Sequence, residues 1–215
     1  FINQNQKPVI YLQHGIVAMK KLFYSRSSYN NKIVKFVVSS HFEKEIFIKY
    51  MNFREDQLIV TGLARFDNLK DQSSKSEIKK LLIMPTWRDG IADSYHSFIN
   101  SSFYKYYGGL LKNSRLHDLI RKQNLVIEFY PHIELQKNKQ CLKLFENLHE
   151  NIRVVTTSTK TVKSLLEEST LMITDYSSVA FDFAYMDKPV LFFQFDLIEY
   201  LLNRGAYIDM EKDLI

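Results

Sequence analysis

Four short polar clusters in this chain combine residue types that can move a proton or hold a phosphate. In Gln13-His14-Gly15, the glycine allows a tight turn and close approach of a ligand. His14 there has the neutral-range basicity of a general base, although a histidine after a strand can equally cap or pack. In Thr86-Trp87-Arg88-Asp89, Arg88 offers a planar fork for phosphate oxygens and Thr86 a hydroxyl donor; an Arg-Asp pair can equally be a loop salt bridge. Pro131-His132 fixes an exit direction that can hold His132 over a crevice, or leave it as a surface histidine. The fourth cluster, Thr174-Asp175-Tyr176-Ser177-Ser178, runs into a segment with apolar Val179, Phe183 and Met186 on one side. Free amides at such a helix start, with the helix dipole and two serine hydroxyls, make an anion site. Asp182, four residues after Ser178, shares its helix face and is expected close to the ligand.

These clusters need elements to position them, and the chain alternates short apolar runs with amphipathic segments, the signature of stacked β-α units. Strands are expected at 9–12, 33–38, 58–60, 80–84, 125–129, 152–155, 171–174 and 189–193. Helices are expected at 16–24, 41–50, 110–123, 135–148, 162–166, 178–186 and 196–203. The 41–50 helix follows the N-cap pair Ser39-Ser40, with Phe42, Ile46 and Tyr50 sharing a face. Residues 71–76 are polar and aperiodic, the best candidate for a linker. The fold class expected is therefore α/β with mostly parallel sheets, in which ligands bind beyond the carboxyl ends of the strands. Each polar cluster follows one of the expected strands.

Hydrophobic residues make up 46% and charged residues 25% of the 215, an ordinary globular balance. The lone Cys141 reads as structural and fits a reducing compartment. No apolar run approaches the ~20 residues that span a bilayer, and no signal peptide is visible. The net charge of +5 is uneven: residues 1–70 carry 11 basic and 5 acidic side chains, the remainder 18 and 19. Lys20, Lys21, Arg26, Lys32 and Lys35 lie in a stretch without acid, interleaved with Phe23, Tyr24 and Tyr29. Such a patch attracts a membrane surface or a polyanionic acceptor, or is simply a solvated face; no nucleic-acid motif accompanies it. No His/Cys cluster or Asp-x-Asp pair has ligand spacing, so no bound metal is expected, with free Mg²⁺ as a possible assistant.

Taken in order, His14-Gly15 with Lys20-Lys21, Gly62-Leu63-Ala64-Arg65-Phe66-Asp67, Pro85-Thr86-Trp87-Arg88, Pro131-His132 and the segment 173–182 resemble the CDP-glycerol glycerophosphotransferase family of teichoic acid and capsule polymer synthesis. The resemblance implies a glycosyltransferase-B-like architecture of Rossmann-type domains, with an active site in the cleft. Residues 1–70 would be the end of an acceptor-side domain whose first strands are missing, and residues 78–215 a donor-binding domain. It also implies transfer of glycerol phosphate from CDP-glycerol to a hydroxyl of a lipid-linked or polymeric acceptor, with release of CMP. The enzyme would work in the cytoplasm, on the inner face of the cell membrane. His14 and His132 would be catalytic, with Gly15, Thr86, Arg88, Thr174, Asp175, Tyr176, Ser177, Ser178 and Asp182 around the substrate. Two departures stand out: Tyr130 replaces the Arg usual before Pro-His, and Ala64 the Pro of the Gly-x-Pro-Arg motif. A CDP-ribitol or nucleotide-sugar donor, or a non-catalytic nucleotide-binding fragment, are the alternatives.

Overall fold

Eight apolar runs form parallel strands in the computed structural model, which describes residues 8–23, 25–29, 33–91 and 93–214. They divide between two units: the described residues up to Asn68 with those from Leu197 onward, and Leu69–Asp196. The tail from Leu197, expected with the second domain, thus belongs to the first unit.

In the first unit β1 (Val9–Tyr11), β2 (Ile33–Val38) and β3 (Leu58–Val60) pair in that order. Phe36 of β2 anchors the core, with ring centroids 4.7 Å from Phe47 and 5.2 Å from Phe53. Helix His41–Met51 starts where the Ser40 side chain accepts from the Glu43 amide at 3.1 Å. It ends where Asn52 turns left-handed at φ 58°. Its inward stripe is Glu43, Ile46, Phe47 and Met51, not the expected Phe42 and Tyr50, which are 58% and 48% exposed. Glu43 on that stripe has a specific use described below.

The helix expected at 16–24 does not form among its described residues, which run as irregular backbone. Val17, Ala18 and Met19 are buried in succession, which no single helix face could achieve. Their backbone groups find partners far along the chain instead. The Val17 amide donates to Glu43, the Leu22 amide to the Tyr207 hydroxyl, and the Tyr207 amide to the Ala18 carbonyl. The Tyr200 hydroxyl on helix Leu197–Asn203 donates to the Met19 carbonyl at 3.2 Å. Tertiary contacts thus replace the helical ladder.

The second unit is a five-stranded sheet of β4 (Lys79–Ile83), β5 (Leu125–Phe129), β6 (Ile152–Val154), β7 (Leu171–Thr174) and β8 (Val190–Phe192), in the order β6-β5-β4-β7-β8. All pairings are parallel. One face packs on Phe98, Tyr107, Ile120 and Phe145, the other on Leu165, Leu166 and Phe183, so the central strands carry apolar runs such as Leu81–Ile83 and Leu125–Ile127. The chain runs outward from β4 through β5 to β6, then returns to lay β7 on the other side of β4. That reversal is a topological switch point, the place where open α/β sheets commonly bind ligands.

Several expected helices are divided. The segment 110–123 breaks before Ser114–Gln123, where the Asn113 side chain caps the amides of Arg115 and Leu116. The segment 135–148 breaks at Asn138, which caps Lys139–Leu142. The expected linker 71–76 is pinned within the second unit. Glu167 accepts from the Lys70 amide and the Gln72 side chain, both at 3.0 Å. Lys188 pairs with Asp71 at 3.0 Å while donating to the Leu166, Glu167 and Ser169 carbonyls.

Candidate active site

The loops leaving β4 and β7 are tied by one buried carboxylate. Asp175 is fully buried; its Oδ1 accepts from the Thr86 amide at 2.8 Å and the Tyr176 amide at 2.7 Å. Its Oδ2 accepts from Arg88 Nη2 at 2.9 Å. Asp196 grips the other edge of the same guanidinium, at 2.8 Å to Nε and 3.0 Å to Nη2, and also accepts from the Tyr176 hydroxyl at 2.9 Å. Arg88 Nη1 donates back to the Thr86 carbonyl at 2.8 Å, and the guanidinium lies 4.9 Å from the centre of the Tyr176 ring. Burial alone would lower the Arg88 pKa, but the hydrogen bonds and charges of Asp196 and Asp175 hold it above its ordinary value. Burial and Asp196 push Tyr176 upward, so its phenol stays neutral.

This knot redistributes the expected roles. Arg88, Asp175 and Tyr176 are engaged with one another, and the Thr174 hydroxyl donates to the Met84 carbonyl at 2.7 Å. They shape the loop. Asp182 is 2% exposed on helix Val179–Tyr185. Ser177 and Ser178 are different: both are half-buried, and neither their hydroxyls nor their amides donate to another described residue. The Thr86 hydroxyl is also buried without a partner. Uncommitted donors at the switch point are thus Ser177, Ser178 and Thr86.

His132 is exposed at the start of helix Ile133–Lys137, after β5. Its Nδ1 accepts from the Glu134 amide at 3.3 Å, and its ring stacks on Trp87 with centroids 5.7 Å apart. An accepting Nδ1 places the proton of the neutral ring on Nε2, which then serves as a donor. Tyr130, standing where the resemblance expects a cation, is buried in the core.

In the first unit, the ends of β1 and β3 border a cavity of about 530 Å³ lined by Gln13, His14, Thr61, Gly62, Arg65 and Asp67 among others. The His-Gly and Gly-Leu-Ala-Arg-Phe-Asp motifs, some 50 residues apart, therefore share one site. Gly62 adopts φ 78°, a turn open to glycine. The Arg65 guanidinium donates to the His14 carbonyl, whereas the exposed His14 imidazole has no hydrogen-bond partner among the described residues. Glu43, fully buried, holds the loop around His14. Its Oε1 accepts from Gln13 Nε2 at 2.5 Å and the Val17 amide at 2.6 Å, and its Oε2 from the Ser39 amide at 2.6 Å. Sequence patterning could not flag Glu43, since an acid on an amphipathic helix reads as solvated, nor Asp196, which lies 108 residues beyond Arg88.

Of the basic patch, Lys20 and Lys21 are exposed and Phe23 is 86% exposed. Lys35 donates to the Asp56 carbonyl at 2.5 Å, and Arg26 is half-buried. Lys32 and Tyr24 lie outside the described residues. Arg204 adds a cation that the sequence pattern missed: after burial, its charge is what lowers the Lys20 pKa. Among the described residues no group of three His, Cys, Asp or Glu could hold a metal, and no helix is long and apolar enough to cross a membrane.

Two units built on parallel sheets, with hydroxyls where strands end that have no partner among the described residues, place the protein in the α/β class. The chain belongs to the CDP-glycerol:poly(glycerophosphate) glycerophosphotransferase family, whose model matches residues 1–215. It is 33% identical over 198 residues to the minor teichoic acid biosynthesis protein GgaB of Bacillus subtilis, covering 87% of this chain and 21% of GgaB. It is 25% identical to the teichoic acid ribitol-phosphate polymerase TarK of Staphylococcus aureus, covering 95% of this chain and 42% of TarK. The solved structure of the wall teichoic acid polymerase TagF superposes with a TM-score of 0.70 at 23% identity, over 97% of this chain and 55% of TagF. The fold class expected from sequence is thus found, and the chain spans half or less of the curated relatives' length.

Arg88→Met would leave the Asp175 carboxylate buried beside no cation. It is expected to destabilise the second unit by about 3–5 kcal/mol, read from chemical denaturation; a loss below about 1 kcal/mol would contradict the role given to the knot.

Proposed function

We propose that this chain takes part in transferring glycerol phosphate from CDP-glycerol to a hydroxyl of a lipid-linked or polymeric acceptor during teichoic acid synthesis. The observation that carries the reading is the pair Ser177 and Ser178, uncommitted at the switch point of a family member's sheet. In the proposed reaction the acceptor oxygen attacks the phosphorus bearing glycerol. The bond from that phosphorus to the bridging oxygen breaks, and CMP leaves with the electron pair. His14 takes the proton of the attacking hydroxyl. His132 Nε2–H and the hydroxyls and amides of Ser177 and Ser178 balance the phosphate charge. Phosphoryl transfer depends chiefly on such positioning and electrostatics, and one positioned donor contributes on the order of 10²-fold in rate.

A ribitol donor is the second reading, favoured by the likeness to TarK. Nucleotide-sugar transfer and a purely nucleotide-binding role give the two histidine motifs less to do. Lys20, Lys21 and Arg204 with exposed Phe23 would meet an anionic membrane surface or the polyol-phosphate chain, which fits work on the inner face of the cell membrane. A capsule polymer is a further possible product class, and nucleic acid is not an expected partner.

His14→Ala is expected to lower CMP release from CDP-glycerol plus acceptor by at least about 10²-fold while the thermal midpoint holds. Near-normal turnover would remove His14 from the mechanism, and CDP-ribitol assayed in parallel decides the polyol. Binding to vesicles containing phosphatidylglycerol should fall steeply as salt rises from about 0.05 M to about 0.5 M, and should weaken in Lys20→Glu/Lys21→Glu. Salt-indifferent binding would argue against the membrane patch.

A further inference from the structure

Gln136, half-buried on helix Ile133–Lys137, uses both ends of its amide to join the loops that leave β5 and β6. Nε2 donates to the Pro131 carbonyl at 2.7 Å, and Oε1 accepts from the Thr157 amide at 2.9 Å and the Thr157 hydroxyl at 3.3 Å. The two ends cannot be exchanged, because a carbonyl only accepts and a backbone amide only donates. The carbonyl that Gln136 holds belongs to the peptide unit carrying the His132 nitrogen, and that unit is planar. The Pro131 ring already fixes its own φ, and the Tyr130 amide before it is bonded to the Ile83 carbonyl at 2.9 Å. The ψ of Pro131 is then the soft dihedral that aims the peptide into His132. Among the described residues no backbone amide donates to the Pro131 carbonyl, so the Gln136 side chain sets that angle.

A seat for the imidazole follows that peptide. The His132 carbonyl accepts from the Leu135 and Gln136 amides at 2.9 and 3.1 Å. Its Nδ1 accepts from the Glu134 amide, and its ring lies on Trp87 at an interplanar angle of 24°. Trp87 packs against the core of the larger sheet, so the platform under the ring is fixed independently of the helix. Turning the Pro131–His132 peptide would break the Glu134 contact and lift the ring from Trp87 together. We propose that Gln136 is a positioning residue for His132: by tying the Pro131 carbonyl to Thr157, it aims the peptide that seats the imidazole on Trp87. The loop after β6 thereby governs the orientation of a side chain on the loop after β5. The seating needs only these contacts; its consequence for turnover rests on the proposed function, in which His132 meets the phosphate charge.

Trp87 is the single tryptophan of the chain, and its ring current reads the stack directly in proton NMR of the His132 ring, whose signals are identified by their loss in His132→Asn. In the unsubstituted protein these signals are expected upfield of their position in Trp87→Leu. Two variants then test the tie: Gln136→Met, and Gln136→Glu, which keeps an acceptor for Thr157 but offers the Pro131 carbonyl no donor. In both, the signals should move to the Trp87→Leu position. The kcat for CMP release from CDP-glycerol plus acceptor should fall by at least about tenfold with KM nearly unchanged, the mark of a misplaced transition-state contact. Signals that stay upfield in either variant overturn the proposal even if the thermal midpoint falls, since a purely structural glutamine would lower stability alone. So do signals that are not displaced in the unsubstituted protein, and a kcat that holds while the displacement is lost. If Gln136→Met fails to fold, Gln136→Glu carries the same readouts. A displacement that depends on Gln136 in a chain releasing no CMP would sink the proposed function and keep the positioning role.

Discussion

The ion pair between Arg88 and the buried Asp175 is the interaction on which the candidate donor site depends. A carboxylate with no exposure must be compensated in place. Asp175 achieves this with a guanidinium and two backbone amides, one from each loop that leaves the sheet at the switch point. Satisfying the charge and joining the loops are therefore the same act. Asp196 closes the other edge of the guanidinium and holds the Tyr176 hydroxyl. With Asp175, Tyr176 and Arg88 engaged, the half-buried Ser177 and Ser178 keep hydroxyls that donate to no other described residue.

The first unit uses the same device with a different acid. Glu43 is fully buried and takes two backbone amides and one side-chain amide, from residues flanking His14 and from the turn before its own helix. No cation answers it in those contacts; three hydrogen bonds satisfy its two oxygens. In both units a buried carboxylate gathers the amides of a loop at a strand's carboxyl end, and an uncommitted polar group beside it is held ready. Pre-organisation of this kind, more than the reactivity of any single residue, is what the proposed phosphotransfer requires.

The larger sheet was legible in the sequence because its central strands are covered on both faces, so Leu81–Ile83, Ile127 and Met172 belong to short apolar runs. The loops that end those strands were legible as well, since glycine, proline and serine mark them. What could not be read was how each polar side chain is used. Arg88 could be read as a phosphate ligand or as half of a salt bridge, and only the fold shows Asp175 as its partner. The segment 16–23 has helical spacing, but its amides and carbonyls are answered by Glu43 and Tyr207, partners that no local pattern contains. Glu43 itself occupies a position where helical periodicity assigns solvent. Local propensity lost each time to a satisfied long-range hydrogen bond.

Family membership sets the chemistry to be expected, and the geometry sets which atoms are left to perform it. The central claim is that Ser177 and Ser178 hold the phosphates of the donor while the Arg88–Asp175–Asp196 knot supports them from behind. The most direct measurement is the affinity for CDP-glycerol of Ser177→Ala/Ser178→Ala, by calorimetry, beside its thermal midpoint. The account predicts weakening by about 10- to 100-fold with the midpoint unchanged, because neither hydroxyl takes part in the fold. Affinity equal to that of the unsubstituted chain would contradict it.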